Sequence, residues 1–317
     1  MLVNGQWVEN WQPVQATDQE GGFVRQTSSF RHWITSDGQA GVTGEAGFQA
    51  EKGRYHVYIA LICPWASRTL IARELKGLSD IISVSVVEPK LTDFGWRFGH
   101  EFSADTDDIN HKTYMHEIYT LADLQFTGRA TVPVLWDKKR QTIVNNESAD
   151  IVRMLNQGFG ELADAHYDLY PIHLQAEIDD LNAEIYQKLN NGVYRAGFAT
   201  TQIAYEHAVM DVFAMLEHLE QRLAYSHYLF GDHFTETDIR LFVTLIRFDV
   251  AYHGLFKCNI KQLCQYPHLS RYVKAILALP KIAQTVNMEH IKQGYYSIKS
   301  LNPLGIVPVG PQLDFPL

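Results

Sequence analysis

The stretch that decides the fold is Tyr55-His56-Val57-Tyr58-Ile59-Ala60-Leu61-Ile62-Cys63-Pro64-Trp65-Ala66. Its first eight residues are aromatic, β-branched or otherwise apolar almost without interruption, which is the pattern of a strand buried on both faces. Pro64 follows closely, and proline is favoured at the first position of a helix. Ile71 and Leu75 continue the apolar face of that helix, and Gly77 ends it. The stretch therefore predicts a buried strand, a sharp turn and a helix.

Further elements follow this unit along the chain. They are a strand at 81–87, a helix from about 114 to 124, a hairpin of 132–136 and 141–144, and a helix from Ile151. The order β-α-β-α-β-β-α over residues 54–156 is typical of the thioredoxin-like fold, in which crossover helices join parallel strands and an antiparallel hairpin follows. A proline inside an apolar strand marks an edge or a cis peptide bond, and in this topology Pro133 is predicted to be cis.

The second half of the chain changes to a helical period. One apolar stripe runs through residues 178–189 and another through 209–223. Thr235, followed three residues later by Asp238, marks a further helix start. The predicted fold class is therefore α/β plus all-α. We assign residues 1–50 to an ordered N-terminal arm, 51–160 to a thioredoxin-like domain and 170–317 to a helical C-terminal domain with a tail.

Composition and charge narrow the class of protein. The 317 residues are 46% hydrophobic and 20% charged, which is ordinary for a folded chain and not for a disordered one. The net charge is −9, and the dense basic run 138–140 is predicted to be a solvated hairpin turn, so no nucleic-acid partner is expected. The chain has no long apolar run for a membrane, and its start lacks the apolar region of a signal peptide. Because three cysteines are too few for a disulfide framework, we expect a cytoplasmic protein.

Cys63 is the residue with the clearest chemistry. It lies at the predicted start of a helix, where backbone N–H groups and the helix dipole stabilise a thiolate, the nucleophilic form of cysteine. Residue 66 is alanine, so a Cys-x-x-Cys dithiol is absent, and a mixed disulfide at Cys63 would need an external thiol such as glutathione to resolve it. The alternative is a buried, inert cysteine. Cys258 and Cys264 lack the spacing of zinc ligands, and no metal is expected.

A resemblance covers nearly the whole chain. The run from Tyr55 to Pro89, with Cys63-Pro64-Trp65-Ala66 inside it, is similar to the glutathionyl-hydroquinone reductases, the Xi class of glutathione transferases. Further matching stretches follow in the same order: Gly95-Trp96, Arg129-Ala130-Thr131-Val132-Pro133-Val134-Leu135-Trp136-Asp137, Asn146-Glu147-Ser148-Ala149, Asn190-Asn191-Gly192-Val193-Tyr194, Asp238-Ile239-Arg240-Leu241 and Arg247-Phe248-Asp249. The Cys-Pro-Trp-Ala and Asn-Asn-Gly-Val-Tyr runs together make the resemblance specific.

The resemblance implies a thioredoxin-like domain followed by a helical glutathione-transferase domain, usually in a homodimer. It implies that the chain removes glutathione from glutathionyl-hydroquinones, with glutathione as co-substrate and Cys63 as nucleophile. The residues implied to hold glutathione are Trp96, Arg129, Ala130, Thr131, Val132, Glu147 and Ser148. The residues implied to line the quinone side and act in catalysis are Tyr194, Tyr252 and Tyr295.

Elementary chemistry agrees with several of these roles, and two positions depart from the family. Backbone groups of Val132, beside the predicted cis proline, can pair with an extended peptide as an added strand. Glu147 and Ser148 at a helix start suit the amine and carboxylate of a γ-glutamyl group. The family commonly has histidine where this chain has Ser67 and Gly294. Since neither histidine is the nucleophile, the departures bear on the pKa of the Cys63 thiol and on the range of substrates. They do not change the class of reaction.

Two other functions stay open at this point. A monothiol transferase or dehydroascorbate reductase of the omega type would share Cys63 and the mixed disulfide. Disulfide exchange needs no proton on a ring carbon, however, so such an enzyme does not need the tyrosine set. A non-catalytic glutathione-transferase-like interaction module has no use for an activated cysteine at a helix start. The presence of Cys63 therefore favours an enzyme.

Overall fold

The computed structural model describes residues 1–8, 17–313 and 315, and these residues form two compact units. The first unit contains the described part of residues 1–11 together with Thr27–Tyr167 and Thr285–Gly294. The second contains the described part of residues 12–26, Asp168–Gln284 and the described part of residues 295–317. Both units therefore draw on distant parts of the sequence.

The first unit is built on a four-stranded sheet. Its strands, after the short hairpin β1 (Leu2–Val3) and β2 (Gln6–Trp7), are β3 (Tyr55–Ile59), β4 (Ser83–Val86), β5 (Val134–Asp137) and β6 (Thr142–Asn145). Its helices are α1 (Pro64–Leu75), α2 (Met115–Ala122) and α3 (Ser148–Arg153). The sheet order is β4-β3-β5-β6, with β3 parallel to β4 and the other two pairs antiparallel. The predicted thioredoxin-like order of elements is confirmed.

Strand β3 and the hairpin beside it have clear local causes. All five residues of β3 are buried, as its apolar run predicts, but the strand ends three residues before the predicted Ile62 because the Cys63 amide donates to the Ala60 carbonyl and closes a turn. At the other end of the strand, the guanidinium of Arg54 pairs with the fully buried carboxylate of Asp137. Asp137 also accepts the amide of Lys139, so the same carboxylate fixes the turn between β5 and β6.

The N-terminal arm contains more regular structure than the sequence analysis assigns to it. Hairpin β1–β2 turns at Asn4-Gly5, both of which have positive φ, and Asn-Gly is a favoured hairpin dipeptide. Further along, the arm runs antiparallel to β6: the His32 amide donates to the Val144 carbonyl at 2.9 Å, and the Asn146 amide donates to the Phe30 carbonyl at 3.1 Å. The arm therefore extends the edge of the sheet next to the start of α3.

The second unit is helical, as predicted. It contains α4 (Gln175–Ile185), α5 (Gly192–Gly197), α6 (Gln202–Leu223), α7 (Glu236–Arg247) and α8 (Pro267–Leu277), while α9 (Met288–Tyr295) begins in the first unit and ends in the second. Thr235 and Asp238 form the predicted capping box at the start of α7. Burial raises the pKa of Asp238 to about 6, against donors that include the Tyr272 hydroxyl. Within the described ranges, no helix is both long and apolar enough to cross a bilayer.

Candidate active site

Cys63 occupies the position predicted for it, at the N-cap of α1, which begins at Pro64. Its thiol is partly exposed, and Sγ donates to the Val132 carbonyl oxygen at 3.6 Å. The other two cysteines differ from it: Cys258 is buried, which raises the pKa of its thiol to about 12, and Cys264 is exposed. Cys63 is thus held at a helix start against a segment that the sequence implicates in glutathione binding.

The Val132–Pro133 peptide bond is cis, as predicted. The residue before it, Thr131, is held by Tyr119, whose buried hydroxyl donates to the Thr131 carbonyl at 3.0 Å. The same hydroxyl accepts the side-chain amide of Asn146 at 3.0 Å. Tyr119 therefore joins two of the predicted glutathione-binding segments, the one before the cis proline and the one that leads into α3. No motif in the sequence marks Tyr119 for this role.

Glu147 and Ser148 lie at the start of α3, as the sequence predicts. Glu147 is the N-cap residue, and its carboxylate accepts the Ala149 amide at 3.2 Å. Its own amide donates to the Asn145 side chain at 2.7 Å. The Ser28 hydroxyl of the N-terminal arm donates to the second carboxylate oxygen of Glu147 at 3.0 Å. A half-buried carboxylate at this position can receive the cationic amine of a ligand.

The remaining predicted glutathione residues lie in the same unit. Trp96 is half-buried, and its carbonyl accepts the Met115 amide at the start of α2. Arg129 and Ala130 are half-buried in the connection that leads to Thr131. Hydrogen bonds thus join Cys63 to Val132, and Tyr119 joins Thr131 to Asn146, the residue before Glu147. Trp96 is bonded to the start of α2. In the described part of the chain, no three histidine, cysteine or acidic side chains converge on a point where a metal would sit.

Both departures from the family pattern lie against the turn that carries the thiol. Ser67 is buried, and both its amide and its hydroxyl donate to the Cys63 carbonyl, at 3.0 and 3.1 Å. A Cβ at Gly294 would lie 2.4 Å from Ile62 Cδ1 and 2.6 Å from the Pro89 carbonyl oxygen. Position 294 therefore accepts only glycine while α9 keeps this approach to Ile62.

The three predicted tyrosines meet in the second unit, where their hydroxyls form a row. The oxygens of Tyr194 and Tyr295 lie 2.6 Å apart, and those of Tyr295 and Tyr252 lie 2.8 Å apart. Tyr194 is half-buried, whereas Tyr295 and Tyr252 are 2% and 0% exposed. Burial raises the pKa of both inner tyrosines well above the ordinary 10, so both stay protonated at neutral pH. The two inner members of the row are neutral hydroxyls, and Tyr194 is its accessible end.

Local structure explains how the tyrosines come together. A π-helical segment, Phe248–Tyr252, ends at Tyr252, and another, Tyr186–Asn190, leads into α5 with Tyr194. Such segments are frequent at functional sites, because an extra residue in the turn re-aims the side chains. From the arm, the guanidinium carbon of Arg25 stacks 4.9 Å from the Tyr194 ring centre, a cation against the ring that the sequence analysis did not identify.

Family models match both halves of the chain. The model described as glutathione S-transferase, N-terminal domain, matches residues 62–157. The model described as glutathione S-transferase, C-terminal domain, matches residues 202–275. The first range contains Cys63 and the cis proline, and the second contains Tyr252.

Similarity to individual proteins extends over the whole length. The chain is 49% identical over 315 residues to glutathionyl-hydroquinone reductase YqjG of Escherichia coli, covering 99% of this chain and 95% of that protein. It is 45% identical over 317 residues to glutathionyl-hydroquinone reductase PcpF of Sphingobium chlorophenolicum, covering 100% and 97%. The glutathione-bound structure of YqjG matches with a TM-score of 0.89 at 50% identity, over 90% of this chain and 94% of that one. Glutathione S-transferase Xi of Phanerochaete chrysosporium matches with a TM-score of 0.88 at 46% identity, over 93% and 95%.

Proposed function

Because the chain belongs to the Xi class of glutathione transferases, the family of the glutathionyl-hydroquinone reductases, we propose that it reduces glutathionyl-hydroquinones with glutathione. The observation that carries this proposal is full-length similarity to two such reductases in a chain that keeps a single cysteine at the start of α1. An interaction module has no need of that cysteine. The chain is therefore assigned to the enzymes.

The first step of the proposed reaction forms a mixed disulfide. The Cys63 thiolate attacks the glutathione sulfur of the substrate thioether, forming an S–S bond while the bond from that sulfur to the ring carbon breaks. The electron pair of the broken bond goes to the ring carbon, which takes up a proton, and hydroquinone leaves. The position of Cys63 supports this role, because a helix start favours the thiolate over the thiol.

The second step regenerates the thiolate. A second glutathione, as its thiolate, attacks the glutathione sulfur of the mixed disulfide, so that oxidised glutathione leaves and Cys63 returns to its initial state. In sum, one glutathionyl-hydroquinone and one glutathione give one hydroquinone and one oxidised glutathione. Each carbon–sulfur bond that is reduced consumes one glutathione as the reductant.

In this proposal the backbone of Val132 pairs with the extended glutathione peptide, and Glu147 and Ser148 bind its γ-glutamyl end. The hydrogen bonds of Tyr119 support these assignments, because they fix the segments that contain these residues relative to each other. Trp96, Arg129, Ala130 and Thr131 complete the proposed glutathione site. Release of the thiol proton ends the contact from Cys63 Sγ to the Val132 carbonyl, because a thiolate cannot donate.

The proton for the ring carbon is proposed to come from Tyr194. A phenol can donate it directly, or can polarise a ring oxygen so that the keto tautomer forms with its α carbon already protonated. Tyr295 and Tyr252 support the donor, since a row of neutral hydroxyls can stabilise the phenolate that Tyr194 becomes. Plain disulfide exchange has no such step.

The test is to measure turnover of glutathionyl-menadiol by the purified chain with glutathione, beside dehydroascorbate and a simple glutathione mixed disulfide. We expect menadiol and oxidised glutathione in equal amounts, and mass spectrometry of the chain after a single turnover should find one glutathione on Cys63. Turnover of dehydroascorbate or the mixed disulfide without turnover of the thioether would overturn the proposal in favour of an omega-type transferase.

The dimer is proposed on the family resemblance alone, and the cellular compartment is proposed on the chemistry of the thiol. We propose a homodimer that works on the glutathione pool of the cytoplasm, because the reaction consumes reduced glutathione and the chain carries a nucleophilic thiol that must stay reduced. Light scattering during size-exclusion chromatography would measure the mass, for which a dimer is twice the 36.2 kDa of one chain.

A further inference from the structure

The N-terminal arm is bonded to the residues that start α3. The amide of Phe30 donates to the side-chain oxygen of Asn146 at 3.1 Å, and the amide of Asn146 donates back to the Phe30 carbonyl. One turn further, the guanidinium of Arg31 forms a two-pronged ion pair with Asp150, with one contact of 2.9 Å. The arm and the helix start are therefore one hydrogen-bonded assembly.

Within this assembly, Ser28 contacts the carboxylate of Glu147 itself. Its hydroxyl lies 3.0 Å from one oxygen of that carboxylate, while the other oxygen accepts the Ala149 amide at 3.2 Å. The oxygen that accepts the Ala149 amide also accepts the Ser148 hydroxyl, at 3.5 Å. Donors on both oxygens fix the rotation of the carboxylate plane. Because each carboxylate oxygen has about two acceptor positions, the oxygen that Ser28 holds keeps capacity for a further donor.

We propose that Ser28 is a positioning residue for glutathione binding, and that the arm is part of the site for the γ-glutamyl group. This inference rests on the proposed function, in which Glu147 receives the ammonium group of glutathione. Ser28 acts through Glu147: it orients the carboxylate before the ligand arrives, so that the ligand does not have to immobilise it. The site should therefore prefer thiols that carry a free γ-glutamyl amine.

A structural role for Ser28 is the competing explanation, because its hydroxyl also lies 3.2 Å from the Asn146 carbonyl. The two roles differ in which ligands they affect. Loss of arm packing would weaken every ligand of the site alike, whereas loss of the oriented carboxylate weakens only ligands with the ammonium group. Thr43 provides a matched control, since its uncharged hydroxyl donates to the Arg31 carbonyl and so anchors the same arm.

The experiment is a calorimetric titration of the full chain with S-methylglutathione and with its counterpart lacking the γ-glutamyl amine. Neither ligand reacts with Cys63, so binding is measured apart from turnover. Ser28→Ala should raise the Kd of S-methylglutathione roughly tenfold, the scale of one hydrogen bond to a charged group, and should leave the Kd of the deaminated ligand unchanged. Ser28→Thr, which keeps a hydroxyl, should keep the wild-type ratio of the two Kd values. Thr43→Val, which removes a hydroxyl from the same arm, should also leave that ratio as in the wild type.

A double-mutant cycle completes the test. In a Glu147→Gln background, Ser28→Ala should have no further effect on the Kd of S-methylglutathione, because the group that it orients is gone. Equal weakening of both ligands by Ser28→Ala, or an undiminished effect in the Glu147→Gln background, would overturn the inference. A wild-type chain that binds both ligands equally would also overturn it, while an inactive chain that still discriminates between them would refute only the proposed reaction.

Discussion

Replacing each tyrosine of the hydroxyl row by phenylalanine removes one oxygen at a time and leaves each ring in place. Tyr194 is the accessible end of the row, so Tyr194→Phe removes the proposed proton donor itself. We expect kcat for glutathionyl-menadiol to fall by roughly 10²-fold or more, the usual contribution of a positioned general acid. Exchange with a simple glutathione mixed disulfide should change little, because no proton goes to carbon in that reaction.

The two inner positions predict a different balance of activity and stability. Tyr295→Phe removes the central hydroxyl and with it both O···O contacts, of 2.6 Å to Tyr194 and 2.8 Å to the buried Tyr252. That change should cost about 1–3 kcal/mol of unfolding free energy, the scale of losing two hydrogen bonds among buried hydroxyls. Tyr252→Phe removes one contact and leaves Tyr295 paired with Tyr194, so its cost should be about 1 kcal/mol.

The assay combines two substrates with chemical denaturation of each variant. Tyr194→Phe should be selectively impaired on the thioether at nearly wild-type stability, and Tyr295→Phe should be the least stable of the three variants. Equal losses of Tyr194→Phe on both substrates would show that its hydroxyl supports the structure of the site and is not a proton donor. Full thioether turnover in Tyr194→Phe would refute the donor role outright.

Three further outcomes are expected. The Cys63→Ser variant should turn over no substrate and still bind S-methylglutathione. Its control, Cys264→Ala at an exposed cysteine, should have wild-type activity. Measurable turnover in the serine variant would contradict the mechanism. Gly294→Ala should lower the unfolding free energy by about 1–3 kcal/mol, because its new Cβ would meet backbone oxygen at 2.6 Å, and urea denaturation would detect the change. Burial raises the pKa of Asp238 from 3.8 to about 6, so between these pH values the folded chain binds a proton that the unfolded chain does not. The contribution of this carboxyl to stability therefore rises as pH falls from about 6 to 4, by up to about 1.4 kcal/mol per pH unit. Asp238→Asn should flatten that slope in urea titrations between pH 7 and 4.5, and an unchanged slope would contradict the assignment.

The fold could be predicted from the sequence wherever one local pattern acts alone. The apolar run before Cys63 predicts β3, and the proline after it predicts the first residue of α1. Thr235 and Asp238 predict the start of α7 for the same reason, because a capping box needs only residues three apart. The Asn4-Gly5 turn is also local, and the hairpin that it forms was missed because its strands are only two residues long.

The parts of the candidate site that escaped prediction depend on pairs distant in sequence. Ser28 and Glu147 are 119 residues apart, and Tyr194 and Tyr295 are 101 apart, so no periodicity relates them. The resemblance named the tyrosines without showing that their hydroxyls touch. The role of Tyr119 could not be predicted for a different reason. A buried tyrosine in an amphipathic helix gives the same sequence pattern whether or not its hydroxyl joins two binding segments.

The two family departures have a shared physical cause at the turn before α1. Ser67 uses its hydroxyl to hold the Cys63 carbonyl, and Gly294 lets α9 approach the side chain of Ile62, the residue next to the nucleophile. A histidine at position 294 would need space that Ile62 and Pro89 fill, and one at the buried position 67 would lack the hydroxyl that donates to the Cys63 carbonyl. The thiol is then oriented by backbone contacts rather than by an imidazole. Gly294→His should therefore displace the turn that carries the thiol.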